Sequence, residues 1–206
     1  MKPLLVCGSG RTLFSDMAAL GINHDSKLES FDIMAINDAL LALPQAQYFT
    51  TYHTEKLEAW LILRGCRVVD GKTIPETKCL NAHCRHVSKW AKSHRFAIEG
   101  GTSALFGVQI GLKLGYARII LCGVPQDGQG RFLDPPWRLG HDYKATDGWQ
   151  SWQRLHAAGG LDCVRSMSGA TRDLLGSPPL EWYTPASATG AAQEMKPAAP
   201  YRLIGE

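Results

Sequence analysis

The stretch Phe96-Ala97-Ile98-Glu99-Gly100-Gly101-Thr102-Ser103-Ala104-Leu105-Phe106 decides the fold of this chain, because a strand-like apolar run turns through paired glycines into a helical one. The helical run covers Thr102–Leu114, stops at Gly115 and leads into the apolar Arg118-Ile119-Ile120-Leu121-Cys122-Gly123. A Gly-Gly-Thr-Ser turn at a helix N-terminus offers unpaired backbone N–H groups and two hydroxyls, the setting in which phosphate anions settle. A second turn of this kind follows Leu4-Leu5-Val6-Cys7, as Gly8-Ser9-Gly10-Arg11-Thr12-Leu13. Two glycine turns after two strands imply one nucleotide-sized pocket.

Working outward, runs of strand length recur at Leu4–Cys7, Ile33–Ile36, Tyr48–Thr51, Arg67–Val69, Phe96–Ile98, Ile119–Cys122 and Leu161–Val164. Helix-like segments lie between them, among them Glu55–Arg64, which ends at Gly65, and the stretch from Asp147 to His156, which ends at Gly159-Gly160. This alternation predicts an α/β fold, a mostly parallel sheet with helices on both faces. A chain of 206 residues that is 45% hydrophobic fits a single domain. That domain is expected over residues 1–176, with 177–206 as a Pro/Ala-rich tail. The irregular stretch from Asp127 to Thr146 is long enough to be a lid or ligand loop. Trp137 and Trp149 flank it and are expected near ligand, whereas Trp152 and Leu155 should face the sheet, and Trp60 and Trp90 should pack.

The formal charge of +3 comes from scattered Lys and Arg, without the basic stripe of a nucleic-acid binder. The N-terminal apolar run is too short for a secretory core or a membrane span, so a cytoplasmic protein with reduced cysteines is expected. Cys7, Cys122 and Cys163 fall in strand-like segments and read as buried thiols. Cys79, His83, Cys84 and His86 crowd together, but their spacing matches no common zinc arrangement, and no metal ligand is assigned. The dinucleotide fingerprint lacks its third glycine, replaced by Leu13, and neither glycine turn continues into a Walker lysine.

Asn37 and Asp38 end the second strand, at the carboxyl edge where ligands of open α/β sheets gather. Asn37 can read a base or ribose or simply turn the chain, and Asp38 could add a metal contact. His141, in Arg138-Leu139-Gly140-His141-Asp142-Tyr143, is the candidate general base because imidazole titrates near neutral pH.

The order of these features resembles the small bacterial sialyltransferases that use CMP-sialic acid. The resemblance rests on Gly8-Ser9-Gly10-Arg11-Thr12-Leu13, Asn37, Thr102-Ser103-Ala104 with Leu114-Gly115-Tyr116, Gly123, and Gly140-His141-Asp142, in register over roughly residues 4 to 165. It implies a Rossmann-like fold and a nucleotide-sugar-dependent transferase acting on a hydroxyl acceptor. Gly8, Ser9, Gly10, Asn37, Thr102, Ser103 and Gly123 become nucleotide contacts, and His141 the base. The paired tyrosines of that family have no counterparts in Val124–Phe132, where Arg131 could supply charge to the departing phosphate. No cofactor is implied, and the related transferases form homo-oligomers. The core also resembles 6-hydroxymethyl-dihydropterin pyrophosphokinases and phage-encoded relatives. That alternative requires magnesium at Asp38 and Asp127, and a third is a nucleotide-binding protein of phage origin without catalysis.

Overall fold

The computed structural model describes residues 2–22, 30–53, 56, 59–60, 63, 101–140 and 147–183, and, as backbone only, 68–69, 72–73 and 78–79. Strands β1 (Leu4–Cys7), β2 (Asp32–Ile36), β3 (Tyr48–Thr50), β6 (Lys78–Cys79), β7 (Ile119–Cys122) and β8 (Val164–Ser166) form one sheet, ordered β6-β3-β2-β1-β7-β8. Every pairing in it is parallel. Helix α1 spans Leu13–Ala19, α2 Ser103–Lys113, α3 Asp147–Ala157 and α4 Gly169–Leu175. The fold is Rossmann-like, as the sequence predicts.

The central strands are apolar at every buried position, with Asp32 at the start of β2 only partly buried, because both of their faces are covered. Leu4, Val6, Met34, Ile36, Ile119 and Leu121 join Phe106, Val108 and Trp152 in one buried cluster. Their neighbours Leu5, Cys7, Ile33, Ala35, Ile120 and Cys122 join Leu13, Met17 and Leu40 in the other. The period of two along each strand thus divides the core into two layers, and each large side chain so buried contributes about 1.5–3 kcal/mol. Helix α2 lies close on the first layer through two glycines. A Cβ at Gly107 would stand 2.5 Å from Ile36 Cδ1, and one at Gly111 2.6 Å from Leu4 Cδ2.

Several expectations need correction. Val68–Val69 (β4) pairs antiparallel with Lys72–Thr73 (β5) in a separate two-stranded arm, outside the main sheet. The last strand lies later than expected, at Val164–Ser166, because Leu161–Cys163 form a turn closed by the Val164 N–H on the Leu161 carbonyl. The strand expected at Phe96–Ile98, most of the Glu55–Arg64 helix, Trp90, and His83, Cys84 and His86 lie outside the described residues. At the start of the expected tail, Trp182 packs against the second layer with the Arg165 guanidinium 5.4 Å from its ring centre.

Candidate functional site

A cleft of about 990 Å³ opens at the carboxyl ends of the strands. It gathers segments that are distant in sequence. Gly8, Ser9 and Gly10 follow β1, Asn37 follows β2, Gly123 follows β7, and Thr102 and Ser103 begin α2; all of them line it, as does Arg131. His141 lies outside the described residues, although Gly140, the residue before it in the chain, borders the cleft.

The two glycine turns differ in what they can offer a ligand. In the first, the Gly8 N–H donates to the Cys122 carbonyl at 2.8 Å, Gly10 to Gly123 at 2.8 Å and Arg11 to Gly130 at 3.1 Å. These amides are taken up by the protein, so the expectation of a phosphate cradle built from them is corrected. The glycines are needed instead for close approach of β1 and β7. A Cβ at either Gly8 or Gly10 would stand 2.6 Å from the Gly123 carbonyl oxygen, and Gly123 itself has φ +64°. Beneath this contact the buried Asp16 carboxylate accepts from the Gly123 N–H at 2.8 Å, Ser168 Oγ at 2.7 Å and Thr12 Oγ1 at 3.0 Å.

The second turn keeps its donors. Thr102 caps α2, its Oγ1 accepting from the Leu105 N–H at 3.3 Å and from Trp152 Nε1 at 3.2 Å. Ser103 Oγ accepts from the Tyr52 N–H at 3.2 Å, which ties the helix start to the end of β3. With N–H donors on these oxygens, each hydroxyl retains its own proton to donate. The N–H groups of Ser103 and Ala104 meet no protein acceptor among the described residues. The positive end of an eleven-residue helix therefore faces the cleft with free donors.

Asn37 has a left-handed backbone, φ 55°, which Asn tolerates better than most residues. Its Oδ1 accepts from Thr51 Oγ1 at 2.5 Å, and Thr51 Oγ1 accepts from the His53 N–H at 2.8 Å. Among the described residues no acceptor takes the Asn37 Nδ2 protons, and Asn37 borders the cleft. Arg131 Nη1 lies 3.3 Å from Oδ2 of the buried Asp38, while 46% of the arginine side chain remains exposed. Asp38 is thus oriented on a cation, and Asp127 Oδ1 accepts from the Gln129 N–H at 3.3 Å. Each carboxylate expected to hold magnesium has one oxygen engaged in the protein itself, while Asp38 Oδ1 is shielded from solvent and meets no hydrogen-bond partner among the described residues. Among the described residues no three His, Cys, Asp or Glu side chains are grouped to hold a metal.

The irregular stretch forms a braced wall. Arg11 donates to the carbonyls of Pro136 and Pro135, both at 2.9 Å, and of Arg138 at 3.2 Å. Gly140 N–H bonds Gly128 at 2.7 Å, and Phe132 N–H bonds Ser9 at 3.0 Å. The tryptophan expectations hold in part. Trp152 is fully buried and Trp60 packs edge-on to Phe49 at 6.1 Å, but Trp137 is 82% exposed and Trp149 packs against the core, so neither lines the cleft. Sequence reasoning missed Gln126, His53 and Lys56, all of which border the cleft. His53 and Lys56 sit just after β3, a position the strand-end rule applied to Asn37 could have flagged.

Among the described residues no helix is long and apolar enough to cross a membrane. Neither a protein-family model nor a curated protein matches this chain. Among solved structures it is similar to the sialyltransferase CstII from Campylobacter jejuni in complex with cytidine-5'-monophosphate, with a TM-score of 0.52 and 14% identity over 89% of this chain and 87% of that one. The same enzyme in complex with CMP-3FNeuAc gives a TM-score of 0.51 and 13% identity over 90% and 89%. At that identity the likeness is one of fold, and this chain shares the fold of a sialyltransferase.

Proposed function

We propose that the cleft binds a nucleotide or nucleotide-sugar and that the chain is a glycosyltransferase-like enzyme transferring the sugar to a hydroxyl of a small molecule or glycan. One observation carries the reading: residues from four separate segments, singled out as nucleotide contacts, border one cleft whose α2 end presents free donors. In this reading the phosphate rests on the N–H groups of Ser103 and Ala104, and the Asn37 Nδ2 protons reach the nucleoside. As the acceptor oxygen bonds to the anomeric carbon, the carbon–oxygen bond to phosphate breaks and its electron pair stays on the phosphate. Charge developing there is stabilised by the helix end, worth about 0.3–1 kcal/mol when exposed and up to about 2 kcal/mol when partly buried. The exposed face of Arg131 adds to it. His141 takes the acceptor proton. The magnesium-dependent alternative would place the metal on Asp38 and Asp127, whose Oδ2 and Oδ1 are already paired with Arg131 and the Gln129 N–H.

The test combines binding and turnover. Thermal-shift titration with CMP, UDP, GDP, ADP and ATP, with and without magnesium, should show a rise in Tm with one nucleotide class that does not require the metal. His141→Ala should abolish sugar transfer and leave nucleotide affinity within about threefold. Equal loss of both contradicts the role given to His141, and tight binding without turnover in the unaltered protein favours a non-catalytic nucleotide binder.

A further inference from the structure

Only two non-glycine residues among those described adopt a left-handed backbone, Asn37 and Gln126 (φ 56°), and both border the cleft. Asn tolerates this conformation through its short side chain; Gln does not share that tolerance. Gln126 carries a second anomaly. Its Oε1 is shielded from solvent and has no hydrogen-bond partner among the described residues. Strain and an unmet acceptor on one cleft-lining residue are the marks of a group kept for a ligand rather than for the fold. Gln126 follows β7, beside β1, where the chain switches from one side of the sheet to the other.

The position also sets how far Gln126 stands from the donors of α2. Ser103 ties the free donors of α2 to the end of β3, and β3 stands three strand spacings from β7, roughly 14 Å at about 4.8 Å each. With a phosphate held at α2, a nucleotide extended along the cleft toward β7 brings its nucleoside end to Gln126. We propose that Gln126 is a specificity-determining residue whose side-chain carbonyl accepts a hydrogen bond from an N–H or O–H donor of the bound nucleoside, an inference that rests on the nucleotide reading of the cleft. Rotation about the last side-chain bond, which is broad and of low cost for a carboxamide, turns the oxygen to the cleft.

Three variants test this by calorimetric titration with CMP and, as an anion lacking a nucleoside, inorganic pyrophosphate. Gln126→Gly removes the strain and the acceptor together, so Tm should hold or rise while CMP affinity falls about tenfold. Gln126→Met should lose CMP affinity similarly, whereas Gln126→Glu, which still accepts, should stay within about threefold. Pyrophosphate affinity should not change in any of them. A Gln126 dependence kept with 2′-deoxy-CMP but lost with UMP supports the base amino group as the donor, and the converse pattern supports a ribose hydroxyl. CMP binding unaltered in Gln126→Gly and Gln126→Met, or a fall in Tm of the glycine variant, overturns the role of Gln126 alone. Failure of the unaltered protein to bind CMP, UDP, GDP or ADP overturns the nucleotide reading and this inference with it.

Discussion

Replacing Asp16 by alanine should destabilise the protein severely although Asp16 touches no ligand position. Its buried Oδ2 accepts three hydrogen bonds, from the Gly123 N–H, Ser168 Oγ and Thr12 Oγ1. Hydrogen bonds to a charged group contribute about 1.5–3 kcal/mol each, and a buried donor left without a partner costs about 1–3 kcal/mol. The two hydroxyls stand 2.8 Å apart and would keep each other as partners. The Gly123 N–H has no such recourse, since its turn is fixed by Gly8 and Gly10. The net loss is then about 3–5 kcal/mol, which for a chain of this length lowers Tm by about 6–20 °C. Asp16→Asn keeps one carbonyl oxygen in place and should lose less than half as much. Urea and thermal unfolding of the three proteins, followed by far-UV circular dichroism, measure the order directly. An Asp16→Ala protein melting within about 3 °C of the parent would refute the reasoning.

Arg11→Lys should loosen the wall over residues 130–140 without unfolding the sheet, because an ammonium cannot reach three carbonyls in the fork geometry of a guanidinium; faster limited proteolysis within that stretch, at nearly unchanged Tm, is the expected outcome, and an unaltered cleavage rate would count against it. Stability should fall with alkaline pH: the hydrogen bond with Cys7 and burial push the Cys122 thiol up, burial pushes Cys163 up, and burial with the Asp32 hydrogen bond pushes the Tyr116 phenol up. Each group stays neutral in the fold while the unfolded chain ionises, thiols from about pH 8.5 and the phenol from about pH 10, so their contribution is complete below those values and is lost as pH rises. Urea midpoints taken between pH 7 and pH 10 should decline, and the decline should be shallower in Cys122→Ala; a steeper one would contradict the assignment.

The strands were legible where burial on both faces makes them apolar, throughout in β1 and β7 and from Ile33 onward in β2. The seven-residue α1 did leave a signal, Leu13, Met17 and Leu20 on one helical face, all buried. Helix α4 left almost none, since Gly169-Ala170-Thr171-Arg172-Asp173 carries no apolar rhythm. β8 was displaced because Leu161 is buried by a turn rather than by a strand, and burial alone does not tell the two apart. At the site, residue types and their order marked which segments meet, because glycines and strand-end polar residues are visible as letters. The direction of their hydrogen bonds was not visible. Whether the Gly8 and Gly10 amides face a ligand or the neighbouring strand depends on how closely β7 approaches β1, and the strain at Gln126 is a dihedral angle with no signature in composition.

Gly107 and Gly111 make the depth of the cleft a property of two absent methyl groups. A methyl group at either position would have to displace the tips of Ile36, Leu4 or Ile119 or else lift α2, and its first turn with it, away from the rim at Asn37. The elevation of the helix's anchoring end is therefore tuned at two positions, where a single alanine acts like a shim under one leg of a table unless the side-chain tips beneath it swing aside.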